Sequence, residues 1–167
     1  MAVIPRGVLC SICSLPMTGD DEIVTFSPFV SDPDDPLVAF SDAAFHTACF
    51  ARHPLSTEAW EWHEKSMHAG PPVNTKCVVC DGAIHDPDDY FATGLLTRDG
   101  ADPLFEFNFV QMHRSHADRW HRFDEFRRRM TDVQASGAWK RTRLTFDLGG
   151  GPRWVIGSHS SPQTDRS

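Results

Sequence analysis

Apolar residues fall in short runs along this chain, cut by clusters of Asp, Pro and Gly. The apolar stretch 23–30, opening on Ile23-Val24-Thr25-Phe26, predicts a strand. Ser31-Asp32-Pro33-Asp34-Asp35-Pro36 predicts a turn, and a second strand is expected to begin at Leu37. The same order returns later: a strand at 90–97, a turn at Arg98-Asp99-Gly100-Ala101-Asp102-Pro103, and a strand from Leu104. Each hairpin should lead into a helix. Ser41 or Asp42 can cap the first, and Asn108, with Gln111 at capping-box distance, the second. His53-Pro54 stops the first helix, because proline cannot continue one. Another helix is expected over about 56–67, capped by Ser56. The second copy has no proline there, and Trp120, Phe123, Phe126, Met130 and Val133 keep helical spacing. That pattern predicts one helix from about 110 to 135. Arg143 to Leu148 and Arg153 to Ile156 predict two strands around Gly149-Gly150-Gly151-Pro152.

The recurrence has a period. At one constant shift along the chain, Cys10 falls on Cys77, Cys13 on Cys80, His46 on His113 and Cys49 on His116. The gap between the second Cys and the His is therefore the same in both copies. At that shift Asp35-Pro36-Leu37 falls on Asp102-Pro103-Leu104, Phe40 on Phe107, and Asp21-Glu22 on Asp88-Asp89. Metal-type and apolar positions are kept together, which suggests duplication of one structural unit. The two copies are expected to diverge after these residues. The expected architecture is an α+β chain of two small units, each a Cys-x-x-Cys turn, a β-hairpin and a helix. The first unit covers 1–68 and a linker 69–76. The second covers 77–157, with a long helix and a C-terminal hairpin, and 158–167 form a disordered tail.

The spacing carries a chemistry. Zinc takes four tetrahedral ligands from thiolate and imidazole. A Cys-x-x-Cys turn offers two donors from one loop, and residues at i and i+3 of a helix offer two more from one face. Two zinc ions per chain are therefore expected, one on Cys10, Cys13, His46 and Cys49, the other on Cys77, Cys80, His113 and His116. Duplication argues for this pairing inside each copy, since a single ancestral copy needs a complete site, and against the interleaving of RING domains. The five cysteines are all used. A disulfide framework would leave one thiol over, and no βαβ context supports a redox Cys-x-x-Cys. His53, His63, His68, His85, His121 and His159 follow no ligand spacing and are expected to be surface or packing residues.

A Cys-x-x-Cys turn, a hairpin and a helix carrying the last two ligands resemble the treble-clef zinc-finger group. The runs Phe45-His46-Thr47-Ala48-Cys49-Phe50 and Met112-His113-Arg114-Ser115-His116 look like its helical half. The first is also distantly similar to the His-x-x-Cys of LIM domains, although the gap before it is longer and no Cys follows two residues after Cys49. The resemblance covers about 10–53 and 77–135. It implies a fold and structural zinc. It implies no activity.

Composition narrows the function. Hydrophobic content is 40% and charged content 23%, ordinary for a folded soluble chain. No apolar run reaches membrane-spanning length. The start, Met1-Ala2-Val3-Ile4-Pro5-Arg6, lacks signal-peptide features, so a cytoplasmic protein without a membrane partner is expected. The formal charge of -7 is uneven: residues 1–70 carry three basic and ten acidic side chains, and residues 71–167 thirteen of each. Four protein ligands per ion leave no open coordination position, and no catalytic constellation stands out, so an enzyme is not expected. A non-catalytic zinc-binding protein-interaction module is the leading expectation. Trp60, Trp62 and Trp139 are candidate anchors, and an immunity- or antitoxin-type protein covering a basic partner is a sharper form. The alternative is a nucleic-acid-binding or regulatory zinc finger. It would use an Arg-rich helix over 114–129, with Arg114, Arg119, Arg122, Arg127, Arg128 and Arg129.

Overall fold

The computed structural model describes residues 8–137 and 139. Strand β1 (Ile23–Phe26) pairs antiparallel with β2 (Ala43–His46), placing Ile23 opposite His46. Strand β3 (Tyr90–Ala92) pairs with β4 (Gln111–His113), placing Tyr90 opposite His113. The two registers are related by the same shift that relates the cysteine pairs.

The strands are shorter than their apolar runs predict, and turn chemistry is the reason. Asp35 accepts a hydrogen bond from the Leu37 N–H at 2.7 Å, and Asp102 one from the Leu104 N–H at 2.8 Å. These Asx turns fold Pro36–Ala39 and Phe105–Phe107 into 3₁₀ turns instead of strands, burying Leu37, Phe40, Leu104 and Phe107. The second strands therefore begin at Ala43 and Gln111, not at Leu37 and Leu104. Ser41 and Asn108 do not cap helices. Ser41 Oγ accepts from the N–H groups of Phe29 and Val30, and Asn108 Oδ1 from those of Leu96 and Thr97. Asp42 and Phe109, each next in sequence, take left-handed φ values of 55° and 57° to enter the second strand.

Helix α1 (Thr47–Ala51) follows β2 without a loop, and the 3₁₀ turn Arg114–Arg119 follows β4 in the same way. Helices α2 (Ser56–Ala69) and α3 (Phe123–Ser136) come next, again one repeat apart, and end at Gly70 and Gly137. The expected single helix over 110–135 is thus broken, and the expected divergence of the copies does not occur up to this point. Trp120 breaks it without any proline. Its N–H bonds to the Ala117 carbonyl at 3.1 Å and its ring stands edge-on to Phe107 at 5.8 Å. His53, its counterpart in the first copy, bonds to the Phe50 carbonyl and stands edge-on to Phe40 at 4.9 Å. Burying an aromatic ring against the preceding turn outweighs continued helical spacing.

Each copy has its own core. The first gathers Phe26, Phe29, Phe40, Phe45 and Phe50; the second gathers Phe91, Leu104, Phe107, Met112, Trp120, Phe126 and Met130. A seam joins the copies. Val30 and Leu95 form a parallel bridge, with the Leu95 N–H on the Phe29 carbonyl at 2.7 Å, and the Leu95 side chain is buried in the first core. Gly94 makes this approach with φ +66°, where a Cβ would collide with Ser31 Oγ. Trp62 of α2 packs on Phe105 and Phe109 at 6.4 and 6.3 Å. Among the described residues no helix is long and apolar enough to cross a membrane. The strands predicted at Arg143 to Leu148 and Arg153 to Ile156, and the tail from 158, lie outside the described residues.

Candidate metal centres

A tight knuckle presents the first two donors of each cluster. The Cys10 N–H bonds to the Leu15 carbonyl and the Cys77 N–H to the Gly82 carbonyl, both at 2.9 Å. Ser14 and Asp81, which follow the second cysteines, close the knuckles at φ 59° and 58°. The knuckles then hang on the second strands: the Ser11 N–H bonds to the Ala44 carbonyl and the Val78 N–H to the Gln111 carbonyl, both at 3.0 Å. That pairing lays Cys10 and Cys77 beside the strand ends that carry His46 and His113.

Cys10, Cys13, His46 and Cys49 converge, and so do Cys77, Cys80, His113 and His116, the donor atoms of each set lying within 4.8 Å of one another. Pairing is within each copy. His46 and His113 are not helical, as the i, i+3 pattern implied. Each ends a strand and sits at the N-cap of the following turn, while Cys49 lies in α1 and His116 in the 3₁₀ turn. Cys13 Sγ is 3.4 Å and Cys49 Sγ 3.9 Å from His46 Nδ1. Cys77 Sγ is 3.7 Å from His116 Nδ1, and Cys80 Sγ 3.7 Å from His113 Nδ1. Tetrahedral bonds of roughly 2.0–2.3 Å put neighbouring donors about 3.3–3.8 Å apart. Three of these four separations fall in that range and the fourth, at 3.9 Å, lies just beyond it, so each cluster can hold a metal ion. All five cysteines are free of disulfides.

The surroundings favour thiolate at the buried position of each set. Burial pushes the Cys10 thiol up. Hydrogen bonds from the backbone N–H groups of Cys13, His46 and Ile12 outweigh it and bring the thiol down to about 6. At Cys77 burial is likewise outweighed, by the N–H groups of His113, Val79 and Cys80, and the thiol again falls to about 6. Cys49 goes the other way, raised by desolvation and by the neighbouring Cys13 and Cys10 sulfurs. A cation at the centre of each cluster would offset that mutual repulsion.

One carboxylate meets an imidazole of the first cluster and another lies beside the second, positions that ligand spacing alone does not assign to them. Asp21 Oδ2 lies 3.6 Å from His46 Nε2 and accepts from the Thr18 N–H at 2.6 Å. Asp89 accepts from the Ser115 N–H at 2.8 Å and hydroxyl at 2.9 Å, beside His113 and His116. Carboxylates behind ligating histidines fix the ring and its tautomer. The recurrence of Asp21-Glu22 as Asp88-Asp89 is the signal in the sequence that could have found them.

Other candidates fare differently. The arginines of 114–129 do not share one helix, and several are paired. Arg122 meets Glu106 at 2.8 Å and Glu125 at 3.0 Å, Arg127 meets Asp124 at 2.9 Å, and Arg129 meets Glu125 at 3.5 Å. Trp139 is buried in the second core and Trp62 fills the seam, while Trp60 is 45% exposed. No family model, curated protein or solved structure matches this chain.

Proposed function

We propose that the chain is a non-catalytic protein-interaction module built on two structural zinc sites in tandem treble-clef units. The observation that carries this reading is the convergence of eight donor atoms into two four-membered sets. Mixed thiolate and imidazole donors suit zinc, and four protein donors leave no position for water or substrate. The order of knuckle, paired strands and a turn bearing the last ligand supports the treble-clef assignment. Structural zinc contributes ~10–16 kcal/mol in small fingers, comparable with the ~5–15 kcal/mol that stabilises a whole domain. The metal then serves the fold, and the surface serves the partner.

The acidic first copy favours a basic partner, of which a nucleic-acid-cleaving enzyme held inactive is one form. Affinity purification of the zinc-loaded chain from its native cells tests the reading. A stoichiometric protein retained by the native chain and lost from Cys10→Ser is expected. Nucleic acid retained without a stoichiometric protein would favour the Arg-rich surface instead.

A further inference from the structure

The duplication provides an internal control for which exposed residues the fold requires. The knuckle hairpins are built alike: Leu9 bridges Pro16 in the first, and Lys76 bridges Ala83 in the second. Their side chains are not alike. Leu9, Ile12 and Leu15 are 51%, 39% and 61% exposed in the first. The matching positions in the second are Lys76, which pairs with Asp81 at 3.3 Å, Val79, which packs on the second core, and Gly82. Val78 is the exposed apolar residue of the second knuckle, and Ser11 takes its place in the first. The same backbone turn is therefore made without these three apolar side chains, and among the described residues Leu9, Ile12 and Leu15 pack in neither core.

The sequence around the hairpin is mostly acidic, with Arg6 the one basic side chain before it. The hairpin runs directly into Asp20, Asp21 and Glu22, all exposed, and the sequence has no Lys or Arg between Val8 and Ala51. An apolar tip in an acidic field selects against an anionic membrane and against a second copy of the same acidic face. We infer that Leu9, Ile12 and Leu15 form a docking tip for a protein segment that presents apolar side chains next to Lys or Arg. This rests on the protein-interaction reading above and gives it a place. Metal binding at Cys10 and Cys13 would hold the tip rigid, so little ordering cost falls on binding.

Amide NMR titration of the zinc-loaded full chain tests the inference. The probe is a synthetic Leu/Lys amphipathic peptide, with a Leu/Glu peptide of the same pattern as control. The Leu/Lys peptide should shift the amides of residues 9–16, and the Leu/Glu peptide should not bind. Leu9→Lys combined with Leu15→Ser should weaken binding about tenfold or more at unchanged zinc content, whereas Val73→Ser, at another exposed apolar position, should leave it unchanged. No binding, shifts confined to other faces, equal binding of the Leu/Glu peptide, or no effect of the double variant would overturn it. Self-association in sedimentation velocity that the double variant abolishes would also overturn it, in favour of a second copy. If the tip fails while a stoichiometric partner still co-purifies, the interaction reading stands and the contact lies elsewhere.

Discussion

Arg98 Nε lies 2.7 Å from Oδ2 of Asp35, a contact that ties the second copy to the first. Asp35 is 8% exposed, and the same guanidinium also reaches Glu58 on α2. Asp102 is the counterpart of Asp35 and makes the same Asx turn, but no ion pair to it is seen among the described residues. The pair of substitutions separates turn from seam. Asp102→Ala should cost about 1 kcal/mol, the loss of a cap-like hydrogen bond. Asp35→Ala should cost about 2–4 kcal/mol, since it also leaves Arg98 half-buried with Glu58 alone. Urea unfolding of the zinc-loaded variants measures both, and equal losses would deny the seam its role.

Trp120 and His53 hold equivalent places against Phe107 and Phe40. Trp120 is 5% exposed and also packs on Phe126 at 6.0 Å, so Trp120→Ala should cost about 3–5 kcal/mol. His53 is less buried, and His53→Ala should cost about 1 kcal/mol. Thermal melts of the two variants check the order.

Cys10 and Cys77 predict the acid limit of metal retention. Backbone N–H donors bring both thiols from near 9.0 to about 6, so the thiolates persist above that value and take up protons below it. The stabilisation from this lowering is complete above the ordinary value and disappears as pH falls through about 6. Protons compete with metal for the same sulfur. Zinc, followed by a colorimetric chelator, should stay bound at neutral pH and be released on the acid side of about 6. Release beginning well above neutrality would contradict the assignment.

His63 predicts a second acid response, at the joint between α2 and β1. Its Nε2 accepts from the Ser27 N–H at 3.3 Å and its ring meets Phe26 edge-on at 4.6 Å. Burial holds it below its ordinary value, with the Glu64 carboxylate opposing. The unfolded chain therefore takes the proton first as pH falls past about 6.5, and stability declines from there toward the lower folded value. Met130 fills the equivalent place in the second copy. His63→Met should flatten the fall of melting temperature with pH. Acid release of metal is expected of both proteins, so the readout is the difference between their slopes, and identical slopes would refute it.

Both Cys/His clusters and the constant shift between them are legible in the sequence, because metal-ligand chemistry restricts residue type and spacing more tightly than helix or strand propensity does. Helix α2 is legible for a local reason, its start after His53-Pro54. The 3₁₀ turns at Leu37 and Leu104 read as strands, since apolar runs do not reveal that an upstream Asp will claim the N–H groups. The break at Trp120 is hidden because its cause is a ring buried on Phe107, which has no local signature. Nothing in Leu95 or Arg98 themselves marks them as the residues that enter the first copy. Seams are set by tertiary packing, where single-chain patterns carry little information.

The central claim is that two metal clasps hold this fold together. Native mass spectrometry of the full chain, paired with thermal melts before and after a strong chelator, tests it most directly. Two zinc ions per chain are predicted, with loss of the cooperative melt once both are removed. A chain that binds no metal, or one whose melting temperature is the same with and without it, would contradict the account.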